Sequence, residues 1–327
     1  MEIKSNKTPL GFPINTKRPF YHGMRCDKCS GRAVEYVKYS GMHLCSRHFI
    51  EFVEKRVKKD LRRQFNIKGA RLAVAMSGGK DSTLALHLIH KIYGKHRNVE
   101  IIAITVNEGI GNYRDEGIKI AQKNCKMRNI EHIVVSFKER YGVTVDEIAA
   151  GERKYGVCTY CGVLRRKLLN IAAKEIGADY LILGTNLDDY SQSILMNFVR
   201  GDLEKLARLG PHRKRMEGFV PRIFPLRTIP ERENYLYALL TGIEFLDAEC
   251  PYAKYAHRGI YKDIVYNLEY NTPGTRHSLL KAYEIIQPYL EEKFRGIKMN
   301  RCTVCGEPTP NIVCKACVLL QEVKGVG

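Results

Sequence analysis

The run Arg71-Leu-Ala-Val-Ala-Met76-Ser77-Gly78-Gly79-Lys80-Asp81-Ser82 decides the reading of this chain. Its first half is a short apolar stretch of the kind that forms a strand buried on both faces. Two glycines then let the backbone turn tightly, and Leu84, Leu88 and Ile92 follow at helical spacing. A strand, a glycine turn and a helix aim backbone amides at whatever sits on the helix N-terminus, and phosphate suits that place. The loop is not a Walker A motif: the first glycine of Gly-x4-Gly-Lys-[Ser/Thr] would fall at Val74, and Asp81 follows the lysine. A purely structural turn has no use for Ser77, Lys80, Asp81 and Ser82 together. Gly109-Ile-Gly111-Asn-Tyr-Arg114 lacks the third glycine of a dinucleotide fingerprint and says little for NAD.

Downstream, Val99–Val106 reads as a second strand, Asp115–Met127 as a helix and Ile130–Ser136 as a third strand. Leu164–Ile176 reads as a helix and Tyr180–Gly184 as a fourth strand. This alternation predicts an α/β fold with a doubly wound parallel sheet. Ligands bind such sheets beyond the strands' carboxyl ends, where Ser77, Asn107 and Gly184 fall. From about Pro221 to Phe294 the chain reads as mostly helical, broken at Pro230, Pro251 and Pro273. Upstream, Phe49, Ile50, Val53, Val57 and Leu61 predict a helix over Ser46–Phe65. Its Lys55, Arg56, Lys58, Lys59, Arg62 and Arg63 are expected to face solvent or RNA.

The net charge of +19, from 54 basic and 35 acidic residues, points to a polyanionic partner. Arg213-Lys214-Arg215 adds a basic cluster in an expected loop. The N-terminal residues show no signal peptide, and no stretch approaches the ~18 apolar residues of a membrane span. The chain therefore reads as cytoplasmic, with no membrane partner. In that compartment eleven cysteines imply metal rather than disulfides. Cys26-x2-Cys29-x15-Cys45-x2-His48 and Cys302-x2-Cys305-x8-Cys314-x2-Cys317 each supply four soft ligands, the set for closed tetrahedral Zn²⁺. Cys125 is left over, as a packed helix thiol. Cys158 and Cys161, with distant Cys250, have three readings: ligands of an iron–sulfur cluster with one open iron, a redox pair plus a buried thiol, or a persulfide carrier. Spacing leaves all three open.

Several segments together resemble one family. They are Ser77–Ser82, Glu108-Gly-Ile-Gly-Asn-Tyr-Arg-Asp115, Cys158-Thr-Tyr-Cys161-Gly-Val-Leu-Arg165-Arg166, Gly184-Thr-Asn-Leu-Asp-Asp189, Leu195-Met-Asn-Phe-Val-Arg-Gly-Asp202 and Glu249-Cys250-Pro251. From about Arg25 to Cys317 the chain is similar to the cytosolic tRNA 2-thiolation family, the TtuA-like and Ctu-type PP-loop ATP pyrophosphatases. Thr185 stands where that family usually has His. The Arg200-Gly201-Asp202 and Tyr113-Arg114-Asp115 runs resemble the branch acting on the anticodon wobble uridine.

The resemblance implies a tRNA-uridine 2-sulfurtransferase that adenylates the uridine C2 oxygen with ATP and Mg²⁺, releases pyrophosphate, and replaces the oxygen with sulfur. Cys158, Cys161 and Cys250 would hold a [4Fe-4S] cluster. Ala75, Val106 and Gly184 would meet adenine and ribose, Ser77, Gly78, Gly79, Lys80, Asp81 and Ser82 the phosphates, and Arg165 the α-phosphate. Asp188 and Asp189 would position Mg²⁺ or polarise a reacting group; their alternative is helix capping. Partners implied are tRNA, a sulfur donor (sulfide or a ubiquitin-like carrier) and a second copy in a homodimer. The expected division is a flexible basic arm at 1–22, an N-terminal zinc finger with linker helix at 23–66, the PP-loop domain at 67–298 and a C-terminal zinc ribbon at 299–327. Rival readings are a PP-loop enzyme for another base, such as a T-loop uridine or a cytidine, and a non-catalytic zinc-dependent RNA scaffold. Lysidine formation is disfavoured because it has no need of three shared cysteines.

Overall fold

The computed structural model describes residues 23–65, 69–212, 216–253, 259–294 and 299–325, so the expected arm at 1–22 and the Arg213–Arg215 cluster lie outside the described residues. The first elements of the described residues are an antiparallel hairpin, β1 (Glu35–Val37) and β2 (Met42–Leu44), which runs into helix α1 (Ser46–Gln64). Phe49, Val53, Val57 and Leu61 repeat every fourth residue, so they form one stripe along α1, and all four are fully buried. They join the core that holds Leu72, Val74, Leu84 and Leu88, so the cysteine-bearing N-terminus is packed into the main body.

Lys55, Lys58, Lys59, Arg62 and Arg63 are exposed as expected, but Arg56 is not. Its guanidinium turns inward to the Thr228 carbonyl and Glu233, because the helix over Glu231–Thr241 lies over that part of α1. One turn further on, Asp60 is buried and accepts from Arg227 Nε at 2.8 Å, Arg227 Nη2 at 2.6 Å and Gln64 Nε2 at 2.7 Å.

The α/β body follows as β3 (Ala70–Ala75), α2 (Lys80–Tyr93), β4 (Val99–Asn107), α3 (Gly111–Lys126), β5 (Glu131–Ser136), α4 (Phe137–Tyr141), α5 (Val145–Ala150), α6 (Val157–Glu175) and β6 (Tyr180–Ile182). Next come α7 (Leu187–Val199), α8 (Leu203–Ala207), β7 (Arg222–Ile223), α9 (Glu231–Thr241), α10 (Gly259–Asn271) and α11 (Thr275–Lys293). A second hairpin, β8 (Asn300–Arg301) and β9 (Pro308–Thr309), precedes α12 (Lys315–Val323).

Five strands form one parallel sheet in the order β5-β4-β3-β6-β7. Along β3, Leu72 and Val74 enter one core and Ala73 the other, the alternation of a sheet covered on both faces. The doubly wound α/β reading holds. β7 escapes a sequence reading because two residues show no period, and α3 and α6 begin earlier than their apolar patterns suggest. The early start of α6 places Cys158 and Cys161 in its first turns. Cys125 is buried on α3, where burial pushes its thiol up to about 11. No helix of the described residues is long and apolar enough to cross a membrane.

Replacing Asp60 with Ala leaves Arg227 buried beside only Glu284 and strips one side of α1 of its anchor. We expect Asp60→Ala to cost about 3–5 kcal/mol in denaturant unfolding. Asp60→Asn, which keeps an acceptor, should cost less.

A candidate phosphate loop joined to a thiolate pocket

The strand order reverses at β3: the chain steps outward to β4 and β5, then returns to the other side of β3 for β6. A crevice for a ligand opens at such a reversal. Ala75 ends β3, Val106 lies one residue from the end of β4, and Gly184 follows β6, so the residues expected to meet a nucleotide gather at one edge.

The loop between β3 and α2 is held by its own hydroxyls. Ser77 N donates to Ser82 Oγ at 3.0 Å, and the Ser82 hydroxyl donates to Gly79 O at 2.9 Å. That commits the Ser82 proton, so the Ser77 hydroxyl donates in the 2.9 Å contact between the two. No side chain caps α2 at Gly79, and the first-turn amides keep the anion-binding character of a helix N-terminus. Gly78 has φ +82°, and a Cβ there would come within 2.2 Å of Gly117 O on α3. From the far side, Leu246 N donates to Gly78 O at 2.8 Å.

Lys80 is buried, with Nζ 3.2 Å from Glu231 and 3.6 Å from Asp81. Burial works against its charge, but Asp81 and Glu231 overcome that and hold the ammonium above its ordinary pKa. Asp81 accepts from Asn186 Nδ2 at 3.1 Å and Asn234 Nδ2 at 2.9 Å. Its burial raises the carboxyl's pKa despite the neighbouring lysine. Asp189 forms a capping box with Asn186 at the start of α7. Asp188 accepts from Glu231 N at 2.7 Å and pairs with Arg276. The capping role weighed from sequence is therefore present for Asp189, and Asp188 is spent on tying α7 to α9 and α11.

Cys158, Cys161 and Cys250 are all half-buried and pack against the same core, beside Tyr113 and Tyr252. Cys158 Sγ donates to Tyr252 O at 3.4 Å, which draws the segment after Cys250 onto α6. Cys250 bears electrostatically on both other thiols, and Arg165 on Cys158 and Cys161. Burial pushes the Cys161 thiol up to about 11, with Arg165 opposing. Arg165 Nη1 lies 3.4 Å from Glu108 Oε1, and Arg114 Nε 2.5 Å from Glu108 Oε2. Arg114 Nη1 in turn donates to Ser77 O at 3.0 Å. Thiol pocket and phosphate loop are thus joined through three side chains.

The two outer cysteine sets close as expected. Cys26 Sγ is 3.2 Å and Cys45 Sγ 3.4 Å from His48 Nδ1, and Cys29 and Cys45 Sγ are 3.8 Å apart. Cys302, Cys305, Cys314 and Cys317 form the second group, and in each group all four ligand atoms lie within 4.8 Å of one another. Among the described residues no third group is that tight. Three half-buried thiols spread more widely, with no fourth cysteine, fit a cluster with separate iron corners.

Residues 50–263 match the PP-loop domain family, and residues 25–50 match the N-terminal LIM domain of the 2-thiouridine synthetase TtuA. A tRNA 2-thiolation protein NcsA of Haloferax volcanii is 37% identical over 93% of this chain and 100% of its own length. The chain belongs to the tRNA 2-thiolation family of PP-loop proteins. Its fold agrees with the solved U34-tRNA thiolase NcsA from Methanococcus maripaludis, described with its [4Fe-4S] cluster: TM-score 0.80, 37% identity, 93% of this chain and 97% of that one. A more distant family member, the tRNA-5-methyluridine(54) 2-sulfurtransferase of Pyrococcus horikoshii, is 31% identical over 90% of this chain and 93% of its own length.

Seen as a thiolation-family site, the crevice uses residues that sequence reading left without a role. Glu108 and Arg114 carry no separate signal within their segment, and Asn186, Glu231 and Asn234 reach the loop from far along the chain. No local pattern marks such contacts. A Cβ on Gly184 would lie 2.7 Å from Asp81 O and 2.9 Å from Ser82 N, all backbone that cannot swing aside. We expect Gly184→Ala to displace the loop and weaken ATP binding at least tenfold in calorimetry, while Gly259→Ala, whose Cβ meets open space, leaves it unchanged.

Proposed function

We propose that this chain is an ATP-dependent tRNA-uridine 2-sulfurtransferase of the cytoplasm, acting on the wobble position. The observation that carries this reading is the path Ser77–Arg114–Glu108–Arg165, which sets a phosphate loop and a trio of thiols side by side. A C2 oxygen is a poor leaving group, and transfer of AMP to it makes departure possible. The α2 amides, Ser77, Ser82 and Lys80 would grip the β- and γ-phosphates as pyrophosphate leaves, by preorganised charge. Ala75, Val106 and Gly184 would offer backbone groups to adenine and ribose. Arg165 would place its guanidinium between the α-phosphate and the thiols. Mg²⁺ would neutralise the phosphates, and Asp189 at the start of α7 would supply an oxygen or polarise a reacting group. Sulfur would then attack C2 and AMP would leave.

Cys158, Cys161 and Cys250 would hold a [4Fe-4S] cluster, which supplies an open iron for an incoming sulfur atom. The chain's own part is to keep those thiols sheltered and in line with the nucleotide. Cys26, Cys29, Cys45 and His48 would hold one structural Zn²⁺, and Cys302, Cys305, Cys314 and Cys317 a second. The uridine must leave its stack to reach the crevice, and the basic surface would hold tRNA chiefly by phosphates. Sulfide or a ubiquitin-like carrier would bring the sulfur, and a homodimer is the expected assembly. The wobble assignment is supported by the Arg200-Gly201-Asp202 segment and by the greater likeness to the U34 thiolase than to the methyluridine-54 enzyme.

Mass spectrometry of tRNA nucleosides, after anaerobic incubation with ATP, Mg²⁺ and sulfide, tests this directly. We expect 2-thiouridine with the wild-type chain. Cys158→Ala, Cys161→Ala and Cys250→Ala should each reduce it below a hundredth while tRNA affinity stays within about twofold. Full activity in any one of the three would remove the shared-thiolate pocket from the reaction. RNA binding without pyrophosphate release would favour the scaffold.

A further inference from the structure

Beneath the C-terminal cysteine module lies a second cavity, of about 370 Å³, bounded by α6, β6, β7 and the β9 segment. It opens on a different face of α6 from the thiols, since Val163, Lys167 and Asn170 line it whereas Cys158, Cys161 and Arg165 point to the crevice. Its walls are apolar, with Leu181, Phe219 and Pro308 prominent. They are also fixed. The Asn170 amide brackets the turn that carries Phe219, donating to Gly218 O at 2.9 Å and accepting from Val220 N at 3.0 Å. Gly218, at φ +78°, packs so closely on Pro308 that a Cβ there would meet its ring at 2.1 Å.

The charge around this cavity is one-sided. Five Lys and Arg side chains line it against one acid, Glu307, already paired with Lys174 at 2.9 Å. Arg222 is the telling one. Its Nη2 donates to Arg208 O at 3.1 Å, and its Nε lies 3.4 Å from His212 Nδ1. Among the described residues no carboxylate reaches it. A half-buried guanidinium satisfied only by a carbonyl and an imidazole keeps most of its attraction for an anion. In sequence, His212 is followed by Arg213, Lys214 and Arg215.

We propose that this cavity takes one nucleotide of the bound tRNA, its base against Phe219 and Pro308 and its phosphate on Arg222. The inference rests on the reading that tRNA is the substrate. It adds a second grip, separate from the uridine undergoing reaction and on the other side of α6. An apolar slot with a cationic end suits a splayed-out nucleotide, because stacking is indifferent to base identity and the phosphate needs a fixed positive charge. The C-terminal module forms one wall, so its role includes closing this slot as well as stabilising the fold.

The test uses the full chain and an unmodified tRNA, with affinity measured by fluorescence anisotropy. Phe219→Ala and Arg222→Gln should each weaken tRNA binding roughly tenfold, with Arg222→Lys recovering part of the loss. ATP affinity and the thermal midpoint should stay at wild-type values, separating the effect from misfolding. A tRNA carrying 5-iodouridine should crosslink within residues 216–222. Wild-type tRNA affinity in both variants, with no crosslink there, overturns the slot alone. Failure of the wild-type chain to bind any tRNA overturns the functional reading and the slot with it. Binding of a fluorescent fatty acid that tRNA does not displace would assign the cavity to a different ligand and also overturn the proposal.

Discussion

Glu108 holds two guanidinium groups on one buried carboxylate, and the crevice keeps its shape only while it does. Arg114 and Glu108 are almost fully enclosed, so each is costly to bury alone and strongly attracted to the other. The pairing fixes three elements at once. Glu108 follows β4, Arg114 stands in the first turn of α3, and Arg165 lies two turns into α6. Arg114 reaches onward to the carbonyl of Ser77, and Arg165 lies in the field of the thiols. Phosphate loop and thiol pocket are therefore set by the same ion pairs, and neither can shift without disturbing the other.

The first turn of α9 does similar work on the opposite flank. Glu231 reaches Lys80 at 3.2 Å and Asn234 reaches Asp81 at 2.9 Å, so two of its residues hold the loop. Between them, Arg232 bonds Glu35 of β1 at 3.0 Å and Glu233 accepts from Tyr39 at 2.5 Å while pairing with Arg56. Of these four consecutive side chains, the outer two hold the loop and the inner two hold the N-terminal cysteine module and its helix. Together with the buried stripe of α1, they make the module part of the frame around the loop.

Much of this was legible beforehand because it is local. The strand–glycine–helix unit, the alternation of β3, β4 and β5 with helices, and the two four-ligand sets are written in short stretches whose period or spacing has one physical reading. What was not legible depends on long-range contact. The two residues of β7 become a strand only by lying beside β6. Arg56 belongs to a basic helical face by sequence, yet points inward because α9 covers it. Asp188 and Asp189 look alike in sequence, but one caps α7 and the other joins Arg276. Glu108 carries no signal of its own, since a lone acid after a strand is common. Only the approach of α3 and α6 from distant sequence gives it two cations to hold.

Whether nucleotide and thiolates occupy one crevice is decided by electron–nuclear double resonance. The anaerobically reconstituted chain would be reduced to its paramagnetic state and saturated with ATP and Mg²⁺. We expect a resolved ³¹P coupling between the cluster spin and the bound nucleotide, lost when Gly78→Ala abolishes ATP binding. A fully occupied nucleotide site with no phosphorus coupling would place the two groups apart and contradict the shared crevice.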